Sequence, residues 1–155
     1  MDTRKLEIAR FDEAVERIRA VFPALRIEVD RQHPYVDAIA EIPVQPGIAF
    51  EVSINLQNQD ELHLNAADHF WVEWFPCGRQ EVFDRFIEAV TGIVSGNYRI
   101  VESYVFGTAV KAEIERPNNS GGWDRVATWS NLRCLIPWRR SRRIIQNTVP
   151  AVSPR

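Results

Sequence analysis

The sequence of 155 residues contains only two cysteines, Cys77 and Cys134, and no long apolar run. Two cysteines in unrelated contexts are too few for a disulfide scaffold, so we expect a reduced, cytoplasmic protein. A membrane helix needs about 18 consecutive apolar residues, and no segment approaches that length. The N-terminus alternates charged and apolar residues, which is not a signal-peptide pattern. These absences argue against a secreted disulfide-rich protein and against a membrane protein.

Acidic residues are absent after Asp124. Residues 1–124 contain 12 Lys and Arg against 21 Asp and Glu, whereas residues 125–155 contain seven Arg and no acid. The formal net charge of -2 therefore conceals an acidic body and a basic C-terminal part. Clustered charge of one sign steers and selects binding partners, so this division predicts an interaction surface.

Recognised catalytic and cofactor-binding motifs are also missing. The chain has no metal-site, hydrolase or phosphate-loop signature. We therefore expect no cofactor, and we favour a non-catalytic binding protein over an enzyme.

Two segments have the spacing of amphipathic helices. Apolar side chains recur at helical spacing from Phe11 to Phe22, and Pro23 ends that segment. A second helix is predicted to begin near Arg79 and to end before Gly96, which is placed for a left-handed C-terminal cap. Its apolar stripe consists of Val82, Phe83, Phe86, Ile87, Val90, Ile93 and Val94.

The remaining segments alternate with a period of two, which indicates strands. We predict strands at residues 25–29, 36–42, 48–56, 62–64, 69–75, 98–106, 109–115 and 123–130. The order of elements predicts an α+β fold: a mainly antiparallel sheet with two amphipathic helices on one face and the other face partly open. We expect a single domain over residues 1–136, then a basic C-terminal segment over 137–155 whose last residues, from Pro150, are frayed.

A weak internal echo suggests an αβββ duplication. Each helix is followed by an Arg-Ile pair, at 26–27 and at 99–100, and then by Ala-Glu-Ile, at 40–42 and at 112–114. The echo predicts two packed halves with a two-stranded insert between them.

The preferred functional site is a partner-binding surface. In strand alternation His69, Trp71 and Glu73 share one face, and Trp123 follows a glycine-rich loop. Trp is frequent at binding hot spots, and a neighbouring carboxylate adds complementarity to a basic partner. If the strands are neighbours, Glu51, Ser53 and Asn55 extend this surface. The predicted partner is a basic protein.

The rival interpretation is a small enzyme or ligand-binding protein with His63, His69 and Glu73 as its polar groups, near Asp68. A His and a carboxylate are able to act as general base and acid. We expect no zinc, because His63 and His69 lack a third and fourth ligand of convincing type.

Cys77, just before a helix, has the position of a reactive thiolate, but a buried and inert cysteine is favoured.

The segment 138–145 contains four Arg between apolar residues. It has the composition to contact phosphates, an anionic membrane or acidic protein surfaces. The acidic body would repel nucleic acid, so nucleic acid and membrane are the less favoured partners. We expect the basic segment to contact the chain's own acidic residues or those of a partner.

By analogy of size and charge alone, the chain is similar to bacterial immunity proteins, which sequester a toxin.

Overall fold

The computed structural model describes residues 3–148, with side chains from residue 8 onward. It contains two helices and two antiparallel sheets, which confirms the predicted α+β class. The helices are α1 (Thr3–Val21) and α2 (Gln80–Ser95), and a 3-10 turn covers Leu132–Leu135. The strands are β1 (Glu28–Asp30), β2 (Ala38–Ile42), β3 (Val52–Gln57), β4 (Glu61–Ala66), β5 (Phe70–Trp74), β6 (Arg99–Val105), β7 (Thr108–Pro117), β8 (Trp123–Ser130) and β9 (Ser141–Ile145). The tail that we predicted to be frayed, from Pro150 onward, lies outside the described residues.

The strands form two sheets rather than the single sheet that we predicted. Strands β1 to β5 form the first sheet, in which each strand pairs antiparallel with the next. The second sheet has the order β8-β7-β6-β9 and is also antiparallel. The two sheets meet where edge strands β5 and β8 contact each other. Alternation identifies a strand but not its pairing partner. The sequence pattern therefore could not predict that the strands divide into two sheets.

Each sheet follows one helix along the chain, with α1 before β1–β5 and α2 before β6–β9. The duplication of an αβββ unit stays a prediction. Within residues 3–148, neither helix has the length and apolarity that a membrane crossing requires.

A core joins both helices to both sheets. Helix α1 contacts β2 and β3, and α2 contacts α1 and β5. The core takes the apolar stripes of the helices and the inward side chains of the strands, among them Phe11, Val15, Ile18, Phe83, Phe86, Val90, Ile54, Leu64, Ile100 and Ile114. Burial of these side chains supplies the main stabilising free energy of the fold.

Helix α2 follows its predicted pattern closely. The predicted stripe is buried apart from Ile87, which is only half-buried. Ala89, which we did not include in the stripe, is also buried. Gly96 has a φ of 76° and donates its backbone N–H to the carbonyl oxygen of Ile93, as predicted for a left-handed cap.

The strand predicted at 48–56 begins later, at Val52. Gln45 and Ile48 exchange backbone hydrogen bonds of 3.1 and 2.8 Å across a tight turn in which Gly47 has a φ of 86°. Ile48 is nevertheless buried. The alternation thus predicted the burial of Ile48 correctly. The strand does not extend to Ile48, because the backbone groups of Ile48 are paired with Gln45 across the turn.

Strand β9 was not predicted, because we assigned its residues to the basic C-terminal segment. It pairs with β6, with Ile145 opposite Ile100 and Arg143 opposite Glu102. Ile145 packs against the core, whereas Arg142, Arg143 and Ile144 are exposed. A strand with one inward apolar residue lacks the alternation by which strands are recognised.

The apolar segment around Cys134 lies at the surface. Leu132 and Leu135 are strongly exposed and Cys134 is only half-buried. Phe106, in the turn before β7, is likewise exposed and contacts the ring of Trp138 at a centroid distance of 4.8 Å. The apolar residues of this segment therefore lie on the surface rather than in the core.

Gly92→Ala should destabilise the protein, although alanine is normally favoured over glycine in a helix by about 1 kcal/mol. A Cβ atom at this position would lie 2.5 Å from the ring of Tyr98. We expect the clash to outweigh the propensity gain, with a net loss on the order of 1–2 kcal/mol in urea unfolding. In a Tyr98→Ala background the same substitution should become neutral or stabilising. An equal loss in both backgrounds would show that the ring is not the cause.

Candidate functional site

One face of the first sheet points away from the helices and is called here the acidic face. The register aligns Glu41, Ser53, Asn65 and Trp71 across four strands, and Asn55, His63 and Glu73 across three. Because side chains alternate along each strand, the complete face consists of Glu28, Asp30, Ile39, Glu41, Ser53, Asn55, Gln57, Glu61, His63, Asn65, Trp71 and Glu73.

The acidic face has charge of one sign. Its five carboxylates are those of Glu28, Asp30, Glu41, Glu61 and Glu73, and strands β1–β5 contain no Lys or Arg. Arg26, just before β1, lies 3.4 Å from Glu28. The other four carboxylates have no Lys or Arg within 4.0 Å among the described residues. Such a surface attracts cations and basic partners.

Trp71 supplies a large aromatic group at the end of this face. Its side chain is 41% exposed, and its ring packs on the ring of His63 at a centroid distance of 5.2 Å. The prediction that Trp71 is accessible agrees with this position. Trp71 and Glu73 share the face with Ser53 and Asn55, but β3 and β5 are not neighbours as the prediction required, because β4 lies between them.

His63 occupies the centre of a compact ionisable cluster. It is only 2% exposed, although it lies on the polar face of its strand. One ligand atom each from Glu61, His63 and Glu73 lies within 4.8 Å of the others. Glu73 is the direct cross-strand neighbour of His63, and Glu61 lies two residues before it on the same strand. Glu61 was not among the candidate residues of the sequence analysis, so its part in the cluster was missed.

His69 and Trp123 are placed elsewhere. His69 lies in the turn between β4 and β5, not in a strand, and its ring contacts that of Tyr104 at 6.0 Å between centroids. Trp123 begins β8 in the second sheet, is half-buried, and has the Arg99 guanidinium 3.9 Å from its ring centroid. The structure therefore brings Trp71, Glu73 and His63 together but sets His69 and Trp123 apart from them.

A groove of about 650 Å³ lies at one end of the acidic face, against β9. Its lining includes Glu51, Ser53, Asn65 and Asp68 from the first sheet and its connections, together with Arg143 from β9. Glu51 precedes β3 and is exposed. The predicted extension of the site through Glu51 and Ser53 is thus continuous with this groove.

Arg143 is directed toward the chain's own acids. Its Nη1 atom lies 3.5 Å from Asp68 Oδ2 and 4.0 Å from an oxygen of the fully buried Glu102. Tyr104 donates its hydroxyl to the same Glu102 oxygen at 2.5 Å. Burial and this hydrogen bond raise the pKa of Tyr104, and the Tyr104 hydroxyl raises the pKa of Arg143. At Arg143, the basic segment therefore contacts acidic residues of the body.

Cys77 is fully buried in the core, two residues before the N-cap of α2 at Arg79. Burial in apolar surroundings disfavours the thiolate, so the position fits a packing residue rather than a nucleophile.

Comparisons with known proteins add no relative: no family model, no curated protein and no solved structure matches the chain.

Proposed function

We propose that this protein is a non-catalytic binding module whose acidic face holds a basic protein partner. The observation that carries the proposal is the single sign of charge: five carboxylates project from a face whose strands contain no Lys or Arg. Electrostatic complementarity of this kind raises association rates and excludes acidic competitors.

Trp71 supplies the anchor that the charges need. Charges at the rim of an interface contribute little affinity, whereas a partly exposed aromatic side chain that becomes buried contributes much. Trp71 stands beside Glu73 and next to Asn65 in the register, so a partner that covers its ring also meets a carboxylate. By analogy, a bacterial immunity protein that occludes a basic toxin would need such a surface.

The rival enzyme interpretation has less support, because its three polar groups are not assembled. His63 and Glu73 are cross-strand neighbours, but His69 contacts Tyr104 instead. A general acid–base site needs its groups within hydrogen-bonding reach of one substrate.

Site-specific photo-cross-linking in the native host tests the proposal. A photoreactive phenylalanine analogue replaces Trp71 in one variant and Trp138, which is also partly exposed, in a control variant. We expect the first position to capture a protein of net positive charge that the second does not capture. The complex should also weaken as salt is added, because exposed charges are screened over about 10 Å at 0.1 M. Capture of the same proteins from both positions, or of an acidic partner from the first, would contradict the proposal.

A further inference from the structure

We propose that Glu61, His63 and Glu73 bind one divalent first-row transition-metal ion, and that zinc fits the site. This proposal does not rest on the partner-binding function, because metal binding is a property that the isolated chain can be tested for. It also revises our expectation from the sequence, which paired His63 with His69 and found too few ligands.

The separation of the ligand atoms fits a small metal ion. His63 Nε2 lies 3.4 Å from Glu61 Oε2, which is longer than the usual 2.7–3.2 Å of an N–H···O hydrogen bond. Two ligands at about 2.1 Å from a tetrahedral zinc ion are about 3.4 Å apart. A carboxylate oxygen of Glu73 lies within 4.8 Å of a carboxylate oxygen of Glu61 and of a ring nitrogen of His63, so a change in its side-chain torsions would complete the set.

The burial of His63 is an independent observation that points to a ligand. Buried polar atoms in proteins nearly always have a hydrogen-bond partner. His63 is only 2% exposed, yet its Nδ1 atom has no partner among the described residues and its Nε2 atom has only the long contact with Glu61. Neither ring nitrogen thus has a hydrogen bond of normal length, and Nε2, the nitrogen beside Glu61, is the one available to a metal ion.

The sheet holds the three residues in place. His63 and Glu73 are fixed by the register of β4 and β5, and Glu61 is fixed by the alternation of β4. The ring of Trp71 covers the imidazole. Sites supported by strands are more precise than sites on loops.

The donor set selects the class of ion. Magnesium and calcium prefer all-oxygen ligands, whereas an imidazole favours first-row transition metals. Two carboxylates balance the charge of a divalent cation. Three protein ligands leave a fourth position for water or for a group of a bound molecule, as in open zinc sites. Glu73 is the exposed member of the cluster, whereas His63 is buried.

Calorimetric titration of the tag-free protein with zinc, in excess magnesium, tests the site. We expect saturation at one ion per chain. Glu61→Gln and Glu73→Gln keep the side-chain shape but remove the charge, and each should raise the dissociation constant at least tenfold, since even changes outside the ligand shell cost about 10–100-fold. Glu41→Gln, on the same face outside the cluster, should bind zinc like the parent. Far-UV circular dichroism establishes that each variant is folded.

Three results would overturn the proposal. They are no saturable binding of zinc by the parent, the parent's zinc affinity retained in both Glu61→Gln and Glu73→Gln, or loss of zinc binding in His69→Ala or Cys134→Ser. Cobalt absorption provides a second measurement, because a visible band should develop in the parent and not in Glu61→Gln. Cross-linking from position 71 in the presence of a chelator separates this proposal from the proposed function. A partner captured there without metal leaves the binding module intact even where the metal site fails.

Discussion

Replacing Phe86 with alanine should lower the free energy of unfolding by about 3–5 kcal/mol, the usual cost of removing a buried phenylalanine ring. Phe86 lies in the middle of α2, is fully buried, and meets the ring of Trp74 edge-on at a centroid distance of 5.5 Å. The substitution therefore opens a cavity where the helix packs on β5. Because small domains are stable by about 5–15 kcal/mol in total, the loss would be a large fraction of the stability.

Urea unfolding followed by far-UV circular dichroism measures this effect. Arg85→Ala, an exposed position next to Phe86 on the same helix, is the matched control and should change stability by only about 0.5 kcal/mol. Phe86→Leu should recover much of the loss, since leucine fills part of the cavity. If Phe86→Ala unfolded at the same urea concentration as Arg85→Ala, the prediction that Phe86 is buried between α2 and β5 would be wrong.

Trp71→Ala should weaken binding of the basic partner by about 2 kcal/mol or more while leaving the protein folded. The ring is partly exposed and contacts the ring of His63, so its loss should cost stability on the order of 1 kcal/mol. Glu73→Lys should also reduce affinity, because it places a cation where a basic partner docks. Calorimetry with the partner identified by cross-linking measures both effects.

Matched controls separate the acidic face from the rest of the surface. Trp138→Ala removes a partly exposed tryptophan outside the acidic face, and Glu16→Lys reverses an exposed charge on α1. Both should bind the partner like the parent. Thermal melting comes first: unfolding of Trp71→Ala would show that its ring is part of the core. Unchanged affinity in both Trp71→Ala and Glu73→Lys would remove the acidic face from the proposed function.

Local sequence patterns were sufficient to predict a helix or strand when only one of its sides faces the core. Helix α2 was predicted with its buried stripe and its cap at Gly96, and β8 was predicted at the residues that form it. The same reasoning placed Trp71 and Glu73 on one face with Ser53 and Asn55. In each case the repeat of the backbone, 3.6 residues in a helix and two in a strand, is recorded in the order of polar and apolar residues.

Features that depend on contacts between distant segments were not recoverable from such patterns. Strand β9 is recognisable only by its pairing with β6, and the turn that closes between Gln45 and Ile48 shortened β3. His69 was assigned to a strand, but the reversal between β4 and β5 places it in a turn.

The sequence by itself determined the α+β class, the apolar faces of the helices and the acidic character of the body, because periodicity and charge are local properties of the chain. Only the tertiary structure decided that there are two sheets, that Arg143 reaches Asp68, and that Glu61 and Glu73 converge on a buried His63. Strand register is the physical reason. It sets residues of different segments side by side at about 5 Å, and it is fixed by the packing of the whole sheet rather than by any one strand.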